Sequence, residues 1–367
     1  MELNAKQQAA VDMAADWYRK KNDPIFKLAG YAGTGKTTVA TTIAHALEPE
    51  EDRILFCAYT GKAACVMRQK GMPGQTIHSA IYSYEVEVDP VTNRKKFVKY
   101  LKESLPYSLI IVDEASMVGS EVAADLLSFH IPVLAIGDTG QLPPVGDRFS
   151  NLLKDPDVTL DEIMRQAEGN SIPLFAQKLR QGWTPRAKDF KSDNNVQVLN
   201  YGQFVKHFAR LLTCSSQMIC ATNRNREILN RQARRANRYE GLLREGEKII
   251  RKENDWKRQT VSEDIGVLSL VNGMTGYARN VRALPKGRPV FDFEPAFARD
   301  TLFRHLHWDK FDYAYVITAH AAQGSEYPFI VVIDDSWDDR QNPNFRSEWR
   351  YTAATRAKSK LIWVTNR

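Results

Sequence analysis

Apolar runs recur along the chain at 25–29, 53–58, 108–112 and 132–136, and again at 217–221, 329–333 and 360–364. Helical or polar stretches separate them, with Val39 to Leu47 a helix-forming run directly behind the first. Strand-like runs that alternate with helical pattern predict parallel sheets covered by helices. The pattern therefore predicts an α/β chain of two similar parallel-sheet halves, 1–165 and 166–367. Two insertions interrupt it. In the first, about 79–106, YSYEVEVDPVTNRKKFVKY reads as strand, Asp-Pro turn and basic strand, a projecting hairpin. The second, about 273–312, carries Gly, Pro, aromatics and strand-like pieces such as Thr275 to Val281, and is expected to be a small β-rich module.

Composition narrows the class. A chain of 367 residues with 43% hydrophobic content can build two or three real cores. No apolar run approaches the roughly 20 residues that span a bilayer, and MELNAKQQAAVD lacks a signal-peptide apolar region, so no membrane and a cytoplasmic setting are expected. Cys57, Cys65, Cys214 and Cys220 show no metal or disulfide spacing and read as thiols, Cys57 and Cys220 buried in strands. The formal charge of +7 points to a polyanionic partner. Between Arg224 and Arg258 stand twelve Lys or Arg against six Asp or Glu. There Ile228, Leu229, Gln232, Ala233 and Ala236 follow helical spacing, which turns Arg226, Arg231, Arg234, Arg235 and Arg238 largely towards solvent. A nucleic-acid track and a merely solvated helix face fit that pattern equally.

The sharpest chemistry is GYAGTGKTT, Gly30 to Thr38, set between the first strand and its helix. Glycines let backbone N–H groups close around a triphosphate, Lys36 reaches the β/γ oxygens and the Thr37 hydroxyl ligates Mg²⁺. Gly33, Thr34, Gly35, Lys36, Thr37 and Thr38 are the expected nucleotide contacts, with ATP and Mg²⁺ as cofactors. Such a loop needs a carboxylate opposite it, which LIIVDEASM supplies: Asp113 to hold Mg²⁺ and Glu114 to orient or deprotonate water. The acidic run Asp334, Asp335, Asp338 and Asp339 reads as a solvated loop rather than a metal site. His78 and His320 lie outside metal-ligand spacing, so no zinc is expected.

In order along nearly the whole chain, these residues resemble the motifs of superfamily 1 helicases, most closely the 5′→3′ branch, superfamily 1B, with RecD-like and phage Dda-like members. The resemblance implies two RecA-like lobes. LNAKQQAAV resembles the glutamine motif, in which Gln7 reads the adenine edge. AYTGKAA and TIHS resemble strand-contacting motifs, giving Thr60, Lys62 and His78 as DNA contacts. IGDTGQLPPV resembles the motif that links the nucleotide site to the DNA path, with Gln141 as sensor, and LDEIMRQ resembles the segment whose arginine, here Arg165, meets the γ-phosphate. TAHAAQGSEY and YTAATRAK resemble the late motifs: Gly324 and Glu326 near the nucleotide, Thr318 and His320 facing nucleic acid, Arg356 as arginine finger. Taken alone, each arginine is more ordinarily a surface ion pair. One departure stands at Ala321-Ala322, where the family often has Lys.

The leading expectation is an ATP-dependent helicase moving 5′→3′ on single-stranded DNA, acting at single-strand/duplex junctions as a monomer. Single-strand-binding, recombination or replication proteins are its candidate partners. Phe97 and Tyr100 of the hairpin either stack on a base or pack under the insertion. Two alternatives remain: a DNA-stimulated ATPase that remodels protein–DNA complexes, and a nucleotide-switched subunit of a recombination or nuclease complex.

Overall fold

The computed structural model describes residues 3–88, 95–144, 152–162, 170–187, 193–262, 266–283, 288–339 and 342–365. They form two units, Met1–Thr139 with Pro143–Met164, and Gly140–Leu142 with Arg165–Arg367.

The first unit runs α1 (Ala5–Lys20), β1 (Ile25–Gly30), α2 (Lys36–Leu47), β2 (Ile54–Ala58), α3 (Gly61–Gln69), β3 (Gln75–Thr76), α4 (Ile77–Ile81), β4 (Tyr82–Val88), β5 (Lys95–Leu101), β6 (Leu109–Asp113), α5 (Ser120–Leu127), β7 (Val133–Gly137) and β8 (Val158–Leu160). Six strands pair in parallel in the order β3-β2-β6-β7-β1-β8. Every residue of β2 and β7 is buried, as a sheet covered on both faces requires. α2 buries Val39, Ala40, Ile43 and Ala44, one helical stripe. Strands β4 and β5 form a separate antiparallel ribbon inside the predicted hairpin span.

The second unit continues with α6 (Ile172–Arg180), β9 (Val196–Asn200), α7 (Tyr201–Cys214), β10 (Gln217–Cys220), α8 (Asn223–Ala236), β11 (Lys248–Arg251), β12 (Asp255–Ser262), β13 (Gly266–Leu270), β14 (Thr275–Arg282), β15 (Val290–Pro295), β16 (Phe303–His307), β17 (Phe311–Tyr313), β18 (Val316–Thr318), α9 (Ala319–Ala322), β19 (Tyr327–Ile333), α10 (Phe345–Ala354) and β20 (Ala357–Thr365). Its parallel sheet has the order β18-β10-β19-β20-β9. Trp349, Trp363 and Phe175 fill its core, and full burial of side chains this large contributes about 1.5–3 kcal/mol apiece. The edge strand β18 is closed by a side chain: Asn230 of α8 donates to Val316 O at 2.8 Å and accepts from Val316 N at 3.0 Å. That leaves less backbone open to stray pairing.

The β-rich module is larger than the sequence predicts. Its antiparallel sheet, β16-β15-β14-β11-β17, begins at Lys248 rather than near Gly273, and the ribbon β12-β13 also lies before that boundary. Lys and Arg in KIIR and DWKRQTVS hide the strand pattern there. Gly276 is obligatory in this sheet, because a Cβ would stand 2.1 Å from Glu294 O.

Two further expectations need correction. The acidic run is not simply solvated. Asp334 pairs with Arg350 at 2.9 Å with both side chains 4% exposed, and Asp335 accepts from Ala221 N, Thr222 N, Thr222 Oγ1 and Asn225 Nδ2 at the start of α8. Nor do all five predicted arginines, four on α8 and Arg238 just beyond it, face solvent. Arg234 forks onto the fully buried Glu247 at 2.7 and 3.1 Å, and Arg226 bonds Asp312 at 2.7 Å. Removing one partner of a buried pair strands the other charge at a cost of about 3–5 kcal/mol. Asp334→Ala is therefore expected to lower the urea midpoint of the second unit's unfolding strongly, and an unchanged midpoint would show that Arg350 finds other partners.

Candidate functional site

The loop after β1 is shaped by its own backbone. Gly33 and Gly35 sit at φ +84° and +79°, where side chains strain, and a Cβ on Gly35 would also lie 2.7 Å from Gln7 Nε2. Asn4 caps α1 by accepting from Gln7 N, Gln7 Oε1 accepts from Asn4 N, and Gln7 Nε2 donates to Thr34 O at 3.2 Å. Gln7, only 5% exposed, thus buttresses the loop through its own amide. Thr34, also buried, donates to Tyr31 O at 2.9 Å. Lys36 Nζ donates to Gly30 O and Tyr31 O at 2.8 and 2.9 Å, which leaves one of its three N–H groups for an anion. Gly35 at the N-cap offers α2 no side-chain cap, so the helix's first N–H groups and positive dipole end converge where Thr37 and Thr38 stand.

Asp113 ends β6, and β7 alone separates β6 from β1. Two strand spacings put the carboxylate about 10 Å across from the loop's strand, room for a hydrated cation and phosphate oxygens. Glu114 follows in the left-handed region at φ +52°, its N–H donating to Asp113 Oδ1 at 2.9 Å. Strain of this kind at a non-glycine costs on the order of 1–3 kcal/mol and concentrates at functional positions. Among the described residues no group of three or more His, Cys, Asp or Glu could hold a metal. One carboxylate and one hydroxyl, completed by phosphate and water, is the donor set Mg²⁺ accepts and zinc does not.

The neighbouring strand ends carry the other predicted positions of this unit. Thr60 caps α3 by accepting from Ala63 N at 3.2 Å, and Lys62 is 8% exposed. Thr76 caps α4 by accepting from Ser79 N at 3.1 Å. His78 lies half-buried between Tyr59 and Tyr82, ring centroids 5.6 and 5.7 Å away, and burial, aided by Lys99, pulls it below the ordinary histidine range. Phe97 pairs with Val86 in the hairpin, but its side chain lies outside those described, as does the whole of Arg165.

In the second unit, Gln141 is 7% exposed with Oε1 unpartnered among the described residues, and the adjoining Leu142 accepts from Gln323 Nε2 at 3.3 Å and donates to Thr352 Oγ1 at 2.9 Å. Gln323 and Thr352 lie inside the two late motifs, but the sequence assigned neither of them a role. Thr318 caps α9 by accepting from Ala321 N, Gly324 adopts φ +69°, and burial lowers His320. Glu326 is exposed and pairs with Lys358 at 3.3 Å. Ala322 is fully buried in the unit's core, so a Lys does not fit at that position, whereas Ala321 is only partly buried. Arg356 is not on the surface, and it has no ion pair among the described residues. At 4% exposure its partners are neutral oxygens, Thr352 O at 3.1 Å, Ser325 O at 3.4 Å and Thr355 Oγ1 at 3.1 Å. A buried guanidinium without a carboxylate is costly unless it serves an anion.

The sequence model of the AAA domain family matches residues 2–200, and that of the UvrD-like helicase C-terminal domain matches 313–364. The chain is 26% identical over 359 residues to the ATP-dependent RecD2 DNA helicase of Deinococcus radiodurans, covering 91% of this chain and 46% of that protein. The chain belongs to the RecD/Pif1-like helicases of superfamily 1B. Its fold, two RecA-like lobes, is that of the Pif1 helicase from Candida albicans, TM-score 0.58 at 18% identity over 100% of this chain and 94% of the other. It is equally that of a Bacteroides Pif1 in complex with ADP-AlF3 and single-stranded DNA, TM-score 0.54 at 17% identity over 99% and 92%. The chain spans just under half the length of the RecD2 it matches. In this RecD/Pif1-like chain no helix among the described residues is long and apolar enough to cross a membrane.

Gly35→Ala is expected to weaken nucleotide binding about tenfold or more, since left-handed strain on an L side chain alone costs about 1–2 kcal/mol and Gln7 must also move. Titration with a fluorescent ATP analogue checks this, and wild-type affinity would refute the role given to the turn. A second expectation concerns acid. Because burial holds His78 and His320 below the usual value near 6.5, the unfolded chain binds more protons than the folded one under that pH, so stability falls on acidification. Thermal midpoints between pH 7.5 and pH 5 should fall less steeply in His78→Gln and His320→Gln than in the wild type.

Proposed function

We propose that the chain is an ATP-dependent DNA helicase that moves 5′→3′ on single-stranded DNA and parts the duplex at the β4–β5 hairpin. One observation carries the reading. In the first unit, a phosphate loop with its opposing carboxylate and the Thr-capped starts of α3 and α4 share the carboxyl edge of one parallel sheet, so nucleotide and strand contacts lie on one rigid frame. The relative crystallised with ADP-AlF3 and single-stranded DNA supports that pairing of ligands.

Lys36 and the α2 N-terminus take the phosphates. Thr37 and Asp113 hold Mg²⁺, which supplies charge neutralisation at the phosphate oxygens when bound. Glu114, held apart from the helical region, orients the water that attacks the γ-phosphorus and accepts its proton. Gln141 senses the nucleotide state, and Arg165 and Arg356 neutralise charge as the leaving group departs. Gln7, Gly324 and Glu326 complete the nucleotide contacts. Thr60, Lys62, His78, Thr318 and His320 contact the strand, and neutral histidines do so as hydrogen-bond partners rather than as cations. Direction of travel rests on the family alone.

The test is unwinding of duplexes with a 5′ or a 3′ single-stranded tail, with Lys36→Ala as the inactive control. Opening of the 5′-tailed duplex alone is expected. Preference for the 3′ tail would overturn the polarity, and DNA-stimulated hydrolysis without opening would favour a remodelling ATPase.

A further inference from the structure

A two-stranded ribbon has little stability of its own in water, and β4–β5 is paired to no third strand among the described residues. Among the described residues, the side-chain ties that can stiffen it lie at its root. There the chain builds a compact set of side-chain ties, all within the first unit. Tyr82 opens β4 opposite Leu101, is 3% exposed, and its hydroxyl donates to Asp125 Oδ2 of α5 at 2.5 Å. Lys99 of β5 reaches Glu121 Oε1 at 3.1 Å, with its ammonium also 4.2 Å above the Tyr82 ring. Glu121 and Asp125 stand four residues apart on α5, so both ties meet one helix face. Just below the ribbon, Lys102 Nζ donates to Ser79 O and Ala80 O, fastening the departing strand to α4, the helix that carries His78. The His78 ring rests on Tyr82.

We infer that Tyr82 and Lys99 are positioning residues that brace the hairpin root against α5, turning a pliable ribbon into a wedge held in fixed relation to the strand-contacting His78. This rests on the unwinding reading above. An unbraced ribbon would yield to the duplex and let each hydrolysis event pass without separating a base pair. The brace is suited to geometry more than to global stability. Lys99 and Glu121 are 39% and 78% exposed, and ion pairs that open to solvent add little to folding.

The experiment compares opening of a 5′-tailed duplex with single-strand-stimulated ATP hydrolysis in the same preparations of the full chain. Tyr82→Phe combined with Glu121→Gln should slow opening about fivefold or more, the scale of coupling between contacting residues, while hydrolysis and the thermal midpoint stay near wild type. Lys99→Glu should show the same defect, and adding Glu121→Lys should restore opening by re-forming the pair in reverse. Opening and hydrolysis that fall together, opening that stays at wild-type rate, or a swap that fails to rescue would each overturn the brace. A companion variant with 86–97 replaced by Asn-Gly separates the two levels of the argument. If it opens duplex as wild type does, the wedge reading fails and the brace with it. If it loses opening while the root variants keep theirs, the brace alone fails.

Discussion

Hydrogen bonding between parallel strands is the constraint from which the site follows. Strands that run the same way end at the same edge, and in an open sheet that edge is where loops with free backbone groups accumulate. In the first unit the edge reads, strand by strand, β3 to Thr76 and His78, β2 to Thr60 and Lys62, β6 to Asp113 and Glu114, β7 to Gly137, β1 to the phosphate loop. The registers Ala58 to Asp113 and Ala29 to Gly137 keep those ends level. Spacing between chemical groups is thereby set by backbone geometry, and side chains need only fill in the details.

What they fill in is preorganisation. The loop keeps its shape because Gln7 and Thr34 bond to its carbonyls and because glycine occupies its left-handed turns. Glu114 is held at φ +52° between a strand and the turn after it, a conformation the fully buried Ala115 and the Asp113 carboxylate help enforce. In the second unit Arg356 is placed by carbonyl and hydroxyl oxygens, a set that orients a guanidinium without neutralising it. Each arrangement meets its conformational or desolvation cost in the fold rather than at the moment of reaction.

The sequence revealed these features unevenly, for physical reasons. The long apolar strands and the phosphate loop were legible because their patterns are local. β3, β8, β9 and β18 were not. Three are only two or three residues long, and β9, VQVLN, is a five-residue strand with exposed polar positions in a stretch where no apolar run stands out. Asn230 and Gln323 act through backbone groups far away in the chain, at Val316 and Leu142, and nothing near either residue announces the partner. The start of the β-rich module was hidden by the same Lys and Arg residues that suggested a nucleic-acid track.

That last overlap changes how the charge should be read. A basic stretch suggests polyanion binding only to the extent that its cations are not already committed, and of the five arginines Arg226, Arg231, Arg234, Arg235 and Arg238, on α8 and just after it, two are. Arg234 is spent on Glu247, with Tyr313 stacked against its guanidinium at 4.3 Å, and Arg226 on Asp312. Both tie α8 to elements that frame the β-rich module, so their work is to fix one part of the unit against another. Arg231, Arg235 and Arg238 stay exposed. The local excess of positive charge therefore overstates the electrostatic attraction available to a strand, because counterion release scales with the cations that reach phosphates rather than with those present in the chain. Burial of a cation and its availability to a ligand are decided together, by which carboxylates the fold brings within reach.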